Sequence, residues 1–355
     1  MKFTPYFRPY GFRINIIDLL VYPGILSGYG GRFIRNISMG GLSSVMASGI
    51  LSISAYHHHF YDLSSLLYVV SIFLLVLICI PSFWITSDLI WRNTDYRWKF
   101  NRFTFISGIS VIITRTLMVT QSIPVSYLSL MVVYAAIISS LIFTLKEIAG
   151  RKLVADDAHF SQLNIGVAVA SSSVAFTFGI PLIKPFPAVI SLYTAVFAVL
   201  FSLILYSLFV ALNIEKFLKG RYNINNIDGS LWISMGLLAL ISVSFYSLIG
   251  IGGAESPLQV KWIYDISFWL WVLATAALVP VAVLSLNRLR KSLNFNYHPS
   301  LWAVVFPTGV YSLDTTIISI HLSSHFLYGY SVIIDILSSS LFFLFIVLLI
   351  IFSKN

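Results

Sequence analysis

The sequence predicts an all-α membrane protein: ten transmembrane helices, arranged as five helical hairpins around a central pore. The first observation behind that class is composition. Of 355 residues, 58% are hydrophobic and only 10% are charged, against about 25% charged in soluble domains. The second is length, since apolar stretches of about 20 residues, enough for one span each, recur along the whole chain. The third is charge: Lys+Arg number 22 against 13 Asp+Glu, and the cations collect in alternate connections. The same figures exclude disordered and collagen-like chains. Cys79 is the single cysteine, so neither an intramolecular disulfide nor a cysteine-only metal site can form.

Residues 1–35 form an N-terminal segment with Lys2, Arg8, Arg13, Arg32 and Arg35 among aromatics, prolines and glycines. It holds no apolar run that would cross a bilayer or serve as a signal peptide. Within it, Ile14 to Tyr22, ended by Pro23-Gly24, reads either as an interfacial helix or as an unstructured tail. The transmembrane domain follows at 36–351, and 352–355 form a tail. Its apolar stretches lie at 36–56, 66–85, 103–121, 125–145, 161–180, 187–212, 229–250, 259–286, 299–321 and 327–351. Basic connections alternate with tight, nearly uncharged ones. Nineteen cations fall on the side of the termini and two, Lys184 and Lys261, on the other, while Arg115 lies inside a span. By the positive-inside rule both termini are cytoplasmic.

Small and hydroxylated residues are unevenly spread over these spans. Gly, Ser and Thr make up 38 of 105 residues in the odd-numbered spans and 19 of 120 in the even ones. Such residues permit close helix packing or line a wet path. The odd helices are therefore expected to form an inner layer, either as plain packing or as the wall of a pathway whose lining includes Ser44, Ser48, Ser172, Ser234 and Thr308.

Arg115, about two thirds of the way along the third span, needs water or a partner at that depth. Asp314 occupies a comparable depth in the ninth span, so the two could form an ion pair, or each could serve anion or proton coupling. Asp265 and Asp335 lie nearer span ends and read as structural. His57, His58 and His59 are consecutive, which suits no metal, because zinc ligands are spaced apart. His321 and His325 are spaced i, i+4 and could titrate together. Pro307 sits inside the ninth span, where a proline removes one backbone hydrogen bond and bends the helix, and Phe306 precedes it. Pro181, Pro185 and Pro187 bracket the turn after the fifth span.

No motif points to an enzyme. Gly28, Gly30 and Gly31 lack the strand and the Gly-Lys-Ser/Thr of a phosphate loop, and no metalloprotease helix, nucleophile elbow or magnesium-binding acidic cluster occurs. No cofactor, metal or nucleic-acid partner is expected. The partners called for are the lipid bilayer and a small anionic substrate, since cations and hydroxyl donors suit an anion pathway.

The stretch LWAVVFPTGVYSLDTT at 301–316 resembles the ninth-helix motif of the tellurite-resistance/dicarboxylate transporter family, which includes fungal malate permeases and plant slow anion channels. LWISMGLLALISVSFYSL at 231–248 and MGGLSSVMASGILSIS at 39–54 are similar to its seventh and first helices. The resemblance implies odd helices around a central pore, with Phe306 as the ring that occludes it and Pro307 as the proline that follows. It also implies a plasma-membrane transporter of C4-dicarboxylates such as malate or succinate, and a homotrimer. An inorganic-anion channel or a tellurite-resistance-type exporter of the same fold is the alternative, and a membrane-embedded enzyme or scaffold a more distant one. Asp314 stands where the family usually has a small or hydroxylated residue, which adds proton symport to the hypotheses.

Overall fold

The computed structural model of the protein describes residues 29–92, 96–149, 160–183, 188–219, 231–250, 257–291 and 302–352. These residues contain ten α-helices and no strand. They are α1 (Tyr29–His57), α2 (Tyr61–Arg92), α3 (Tyr96–Thr120), α4 (Ile123–Ala149), α5 (Asn164–Gly179), α6 (Ala188–Leu218), α7 (Leu231–Ser247), α8 (Pro257–Lys291), α9 (Trp302–His321) and α10 (His325–Phe352). Short 3₁₀ turns flank α5 at Phe160–Leu163 and Ile180–Leu182, the second carrying Pro181, and another follows α7 at Leu248–Gly250. The helices track the apolar stretches and overrun several of them: α1 begins at Tyr29, inside the segment expected to precede the first span, α2 runs on to Arg92, and α3 begins at Tyr96. The interfacial helix expected at 14–22 lies outside the described residues, as do 93–95, 150–159, 220–228 and 292–298 of the basic connections.

Eight helices, α3 to α10, are long and apolar enough to cross a bilayer, and Tyr61–Leu77 of α2 is a shorter apolar segment. The inner and outer layers separate as the hydroxyl pattern requires. In the spans of α5, α7 and α9, 78% of residues are buried, and in α3 56%; in α4, α6 and α10 the share is 33%, and in α8 22%. What the even helices expose is apolar, including Val69, Phe73, Met131, Ile204, Trp269 and Val347. Aqueous solvent would penalise such a surface, whereas lipid tails do not. The even helices also begin with exposed aromatics: Tyr61 on α2, Tyr127 on α4, Tyr193 on α6 and Trp262 on α8. Rings near the starts of these four outer helices are suited to the membrane interface.

The odd helices form a closed ring. α1 packs against α3, α3 against α5, α5 against α7, α7 against α9, and α9 returns to α1. Each even helix lies in a groove between two of them: α2 on α1 and α3, α4 on α3 and α5, α6 on α5 and α7, α8 on α7 and α9, and α10 on α9 and α1. Small residues make the close seams possible. At the α1–α3 seam a Cβ on Gly49 would lie 2.8 Å from Val111 Cγ1, inside van der Waals contact.

The turns that end α1, α3 and α9 are tight because the chain turns left-handed at once. His59, Gln121 and Ser323 have φ of 65°, 47° and 51°. After α1 the Phe60 N–H donates to the Ala55 carbonyl at 2.8 Å and that of His59 to Tyr56 at 3.1 Å; after α9 the Ser324 N–H donates to Ser319 at 2.9 Å and that of Ser323 to Ile320 at 3.2 Å. Both are Schellman caps, which satisfy carbonyls that a helix end otherwise leaves open. Glycine normally takes this left-handed position, so the sequence carries no glycine signal for these three turns.

Candidate functional site

Pro307 sits inside α9, yet the helix runs unbroken from Trp302 to His321. Its ring faces α7 at Gly236, where an added Cβ would lie 2.5 Å from Pro307 Cβ and 2.7 Å from its Cα. A proline in a helix leaves the carbonyl four residues earlier without its usual donor, and here the glycine lets the neighbouring helix close over that irregularity. Phe306 is buried on the same turn, with Val305 and Pro307 beside it. Trp302, one turn below, is 1% exposed and packs edge-on against Phe342 and Phe345 of α10. The turn bearing Phe306 is thus held by α7 through Pro307 and by α10 through Trp302.

The ring is closed at this level. α5 is buried at all but one position from Asn164 to Gly179, and α7 at every position from Leu231 to Phe245 except Trp232. A helix buried around its circumference excludes water on the face toward the ring axis as well as on the face toward its neighbours. Conduction along this axis therefore requires movement of side chains or helices.

The hydroxyls expected to line a pathway are engaged within their own helices. Ser48 donates to the Ser44 carbonyl at 2.9 Å, Ser172 to Val169 at 2.9 Å, Ser234 to Leu231 at 2.7 Å and Thr308 to Val304 at 2.9 Å. Each carbonyl belongs to the same helix as its donor. Such back-bonding is the usual resting state of a serine in a membrane helix. Ser44 is buried and Thr308 half-buried. An anion would recruit these hydroxyls only by turning them away from their carbonyls.

Arg115 and Asp314 do not meet. Ser52 of α1 donates to the Ser64 carbonyl of α2 at 2.7 Å, and Ser64 donates to the Ser52 carbonyl at 2.6 Å. With both hydroxyl protons committed, each Oγ accepts from Arg115 of α3: Nε reaches Ser52 at 3.1 Å and Nη2 reaches Ser64 at 2.9 Å. The guanidinium carbon lies 4.4 Å from the Tyr56 ring centroid and 5.9 Å from that of Tyr68, within cation–π range. Arg115 is 5% exposed, and its Nη1 finds no hydrogen-bond partner among the described residues. No carboxylate pairs with it there.

Asp314 lies in a mirrored arrangement on another hairpin. Ser242 of α7 and Ser267 of α8 each reach the other's carbonyl, at 2.9 and 3.2 Å. Ser242 Oγ is also 2.7 Å from Asp314 Oδ1, while Oδ2 has no partner among the described residues. The pairing of Arg115 with Asp314 considered from the sequence is replaced by two separate stations, because each residue faces the serine-bridged hairpin on its own side of the ring.

The remaining titratable candidates divide differently from the sequence expectation. Asp265 is exposed on α8. Asp335, expected to be structural near a span end, is 1% exposed and lies 3.2 Å from His58 Nδ1. His58 Nε2 faces Ser331 of α10 at 3.0 Å and Thr316 of α9 at 2.8 Å. The sequence signal for this cluster was one buried-span aspartate and a histidine run, which spacing alone could not join across 277 positions. His321 and His325 stand on two helices separated by the turn at 322–324, so the i, i+4 spacing does not put them on one face. His321 stacks instead on Tyr264 of α8, with ring centroids 3.8 Å apart. Among the described residues no group of three or more ligating side chains could hold a metal ion.

A sequence profile for the SLAC1 family, described as voltage-dependent anion channel, matches residues 36–352. The match takes in all five hairpins. The chain belongs to the SLAC1 family. It is accordingly a multi-pass membrane protein of an anion-transport family, and the family's members are transporters and channels rather than enzymes. A search of curated proteins finds no match. The closed ring of odd helices described above is thus the architecture of a SLAC1-family protein with its axis shut.

Proposed function

We propose that this protein carries C4-dicarboxylate anions such as malate or succinate across the plasma membrane, along the axis of the odd-helix ring. The observation that carries the reading is Arg115: a cation buried in the membrane with no carboxylate partner among the described residues and one unpartnered nitrogen. A buried charge without a counter-ion is costly. A carboxylate arriving at Nη1 would supply both the missing acceptor and the missing charge, and a planar guanidinium is well matched to a carboxylate. Ser44, Ser48, Ser172, Ser234 and Thr308 would offer hydroxyls farther along the path once they turn from their helix carbonyls.

Phe306 is the proposed occluding ring and Pro307 the residue that positions it, supported by the burial of Phe306 and the close fit of Pro307 against Gly236 at the α7–α9 seam. Asp314, buried with one free oxygen, is the proposed proton-coupling group on the pathway. The cation asymmetry of the sequence supports cytoplasmic termini, and homotrimeric assembly follows from the family resemblance.

The test is uptake of radiolabelled malate and succinate into liposomes holding the purified protein, with and without a proton gradient. Saturable uptake of both, raised by Phe306→Ala and lowered by Arg115→Gln, is the expected result. Currents carried by chloride or nitrate and indifferent to dicarboxylates would replace this substrate class by an inorganic anion. Absence of any anion flux would sink the reading.

A further inference from the structure

We infer that Phe306 is the first of four apolar residues that shut the axis together. Val310, Leu313 and Ile317 continue its stripe along α9, and the closed path is a dry barrier several turns long instead of a single ring. The inference comes from accounting for the other faces of α9. Pro307 and Asp314 face α7 through Gly236 and Ser242. Gly309, Ser312 and Thr316 face α1: a Cβ on Gly309 would lie 3.0 Å from Ile50 Cγ2, Ser54 donates to Ser312 at 3.2 Å, and Thr316 Oγ1 lies 2.8 Å from His58 Nε2. Tyr311 and Thr315 face α8 through Thr275 and Trp271, at 2.8 and 3.0 Å. Ser312 also donates to the Ser331 carbonyl of α10 at 2.8 Å. One sector remains, between the α7 face and the α1 face and opposite the two outer helices. At i, i+4, i+7 and i+11 it carries Phe306, Val310, Leu313 and Ile317, the spacing of one helix face. Because α7 and α1 flank α9 on either side of the ring, this sector looks at the axis. Its residues are 3%, 0%, 4% and 8% exposed.

The adjoining helix presents the same kind of surface. α1 meets α3 through Val45 and Gly49, α2 through Ser52, and α9 through Leu51 and Ser54. Its remaining side holds Met46, Ile50 and Ile53, all buried, and the contact of Ile50 with Gly309 joins the two stripes. On α3 the corresponding side differs. Between Val111 at the α1 seam and the pair Ile113 and Leu117, packed with Ala175 of α5, it carries Ser107 and Thr114. Both hydroxyls donate within the helix, to the Phe103 carbonyl at 3.0 Å and the Ser110 carbonyl at 2.9 Å. A helix rises about 1.5 Å per residue, so the stripe from Phe306 to Ile317 spans about 16 Å, roughly half of the hydrocarbon thickness. Narrow apolar space stays dry, and an apolar constriction stops ions by dewetting even where no ring plugs it. Removing Phe306 alone therefore shortens the barrier and leaves the rest of it. The inference rests on the reading of the ring axis as the path, and not on which anion uses it.

The test is access from solution, position by position, in the full chain. Cys79 is the single cysteine, so in a Cys79→Ser, Phe306→Ala background each added thiol stands alone. Val310→Cys and Leu313→Cys should be labelled by sulfonatoethyl methanethiosulfonate, a membrane-impermeant anion, several-fold faster than Val305→Cys. Val305 is as buried as Val310, but it lies in line with Gly309 and Ser312 on the α1 face. Labelling no faster at the two stripe positions than at Val305 overturns the stripe. Uptake into liposomes supplies a second measurement that keeps Phe306 and does not depend on the folding of Phe306→Ala. Val310→Thr puts one hydroxyl into the stripe, and flux of malate or chloride per folded molecule should rise several-fold, whereas Val305→Thr should leave it unchanged. No rise for either anion in Val310→Thr overturns the stripe as a barrier. Should labelling follow the stripe while neither malate nor succinate is carried, the dicarboxylate reading fails and the stripe stands.

Discussion

Arg115 and Asp314, the two charged side chains at comparable depth in the odd helices, occupy matching places on different hairpins and do not touch. Arg115 donates to the bridged serines of α1 and α2, and Asp314 accepts from the bridged serine of α7. Exchanging their charges, Arg115→Asp with Asp314→Arg, should therefore rescue neither single variant in stability or in uptake. Recovery by the double variant would mean that the two meet in a working state of the protein. Arg115→Lys keeps the charge but cannot reach two oxygens with a fork. It should lower unfolding free energy by about 1–3 kcal/mol, the cost of leaving buried partners unsatisfied, measured by denaturant titration in detergent.

Gly236 is the position at which the α7–α9 seam is least tolerant of volume. Its Cβ would meet the Pro307 backbone as well as its ring, so no flexible side chain can move aside. Gly236→Ala should cost about 1–3 kcal/mol, the usual range for overpacking, and should shift the turn carrying Phe306. Comparing uptake with melting temperature separates the two effects: a change in flux larger than Gly49→Ala produces at equal stability marks the seam as part of the transport path.

Phe306→Ala removes a buried ring, and a loss of about 3–5 kcal/mol is the normal cost of such a truncation. If the ring also occludes the axis, uptake per folded molecule should rise despite that loss. Phe306→Leu, which keeps most of the volume, should raise flux less and cost less stability. Equal flux in all three proteins would reduce Phe306 to packing.

The left-handed residues at the ends of α1, α3 and α9 predict gains instead of losses. A non-glycine residue there costs about 1–2 kcal/mol, partly offset by the greater unfolded-state freedom of glycine, about 0.5–1 kcal/mol. Gln121→Gly should therefore stabilise the protein by up to about 1 kcal/mol without altering transport. Its side chain is exposed, so little else is lost. Scanning calorimetry or a fluorescence melt in detergent would show the shift.

The hairpins were legible because each span announces itself by an apolar run, and the bilayer allows few ways to satisfy the backbone except a helix. Which helices lie inside was also legible. Hydroxyls and glycines have no reason to face lipid, and the α5, α7 and α9 spans that carry them are those with 78% of their residues buried. Pro307 is visible through a local feature, a proline inside a span, but its fit against Gly236 of α7 depends on a helix distant in sequence. A run of three histidines suits no metal site, and nothing else in the sequence singles out His58. Its partners Thr316, Ser331 and Asp335 come from two other helices, and no periodicity in one segment reports on another.

What the sequence determined by itself is therefore the class, the number of spans and the division into inner and outer layers, since these follow from the transfer of single side chains between water, lipid and protein. Tertiary structure alone decided the partnerships: that Arg115 joins α3 to a serine-bridged hairpin, that Asp314 faces Ser242 instead of Arg115, and that His58 reaches Asp335. The physical reason is range. Burial and helix formation depend on composition and spacing along the chain. A hydrogen bond acts over about 3 Å and depends on helix rotation and depth, which are set only when the ring closes.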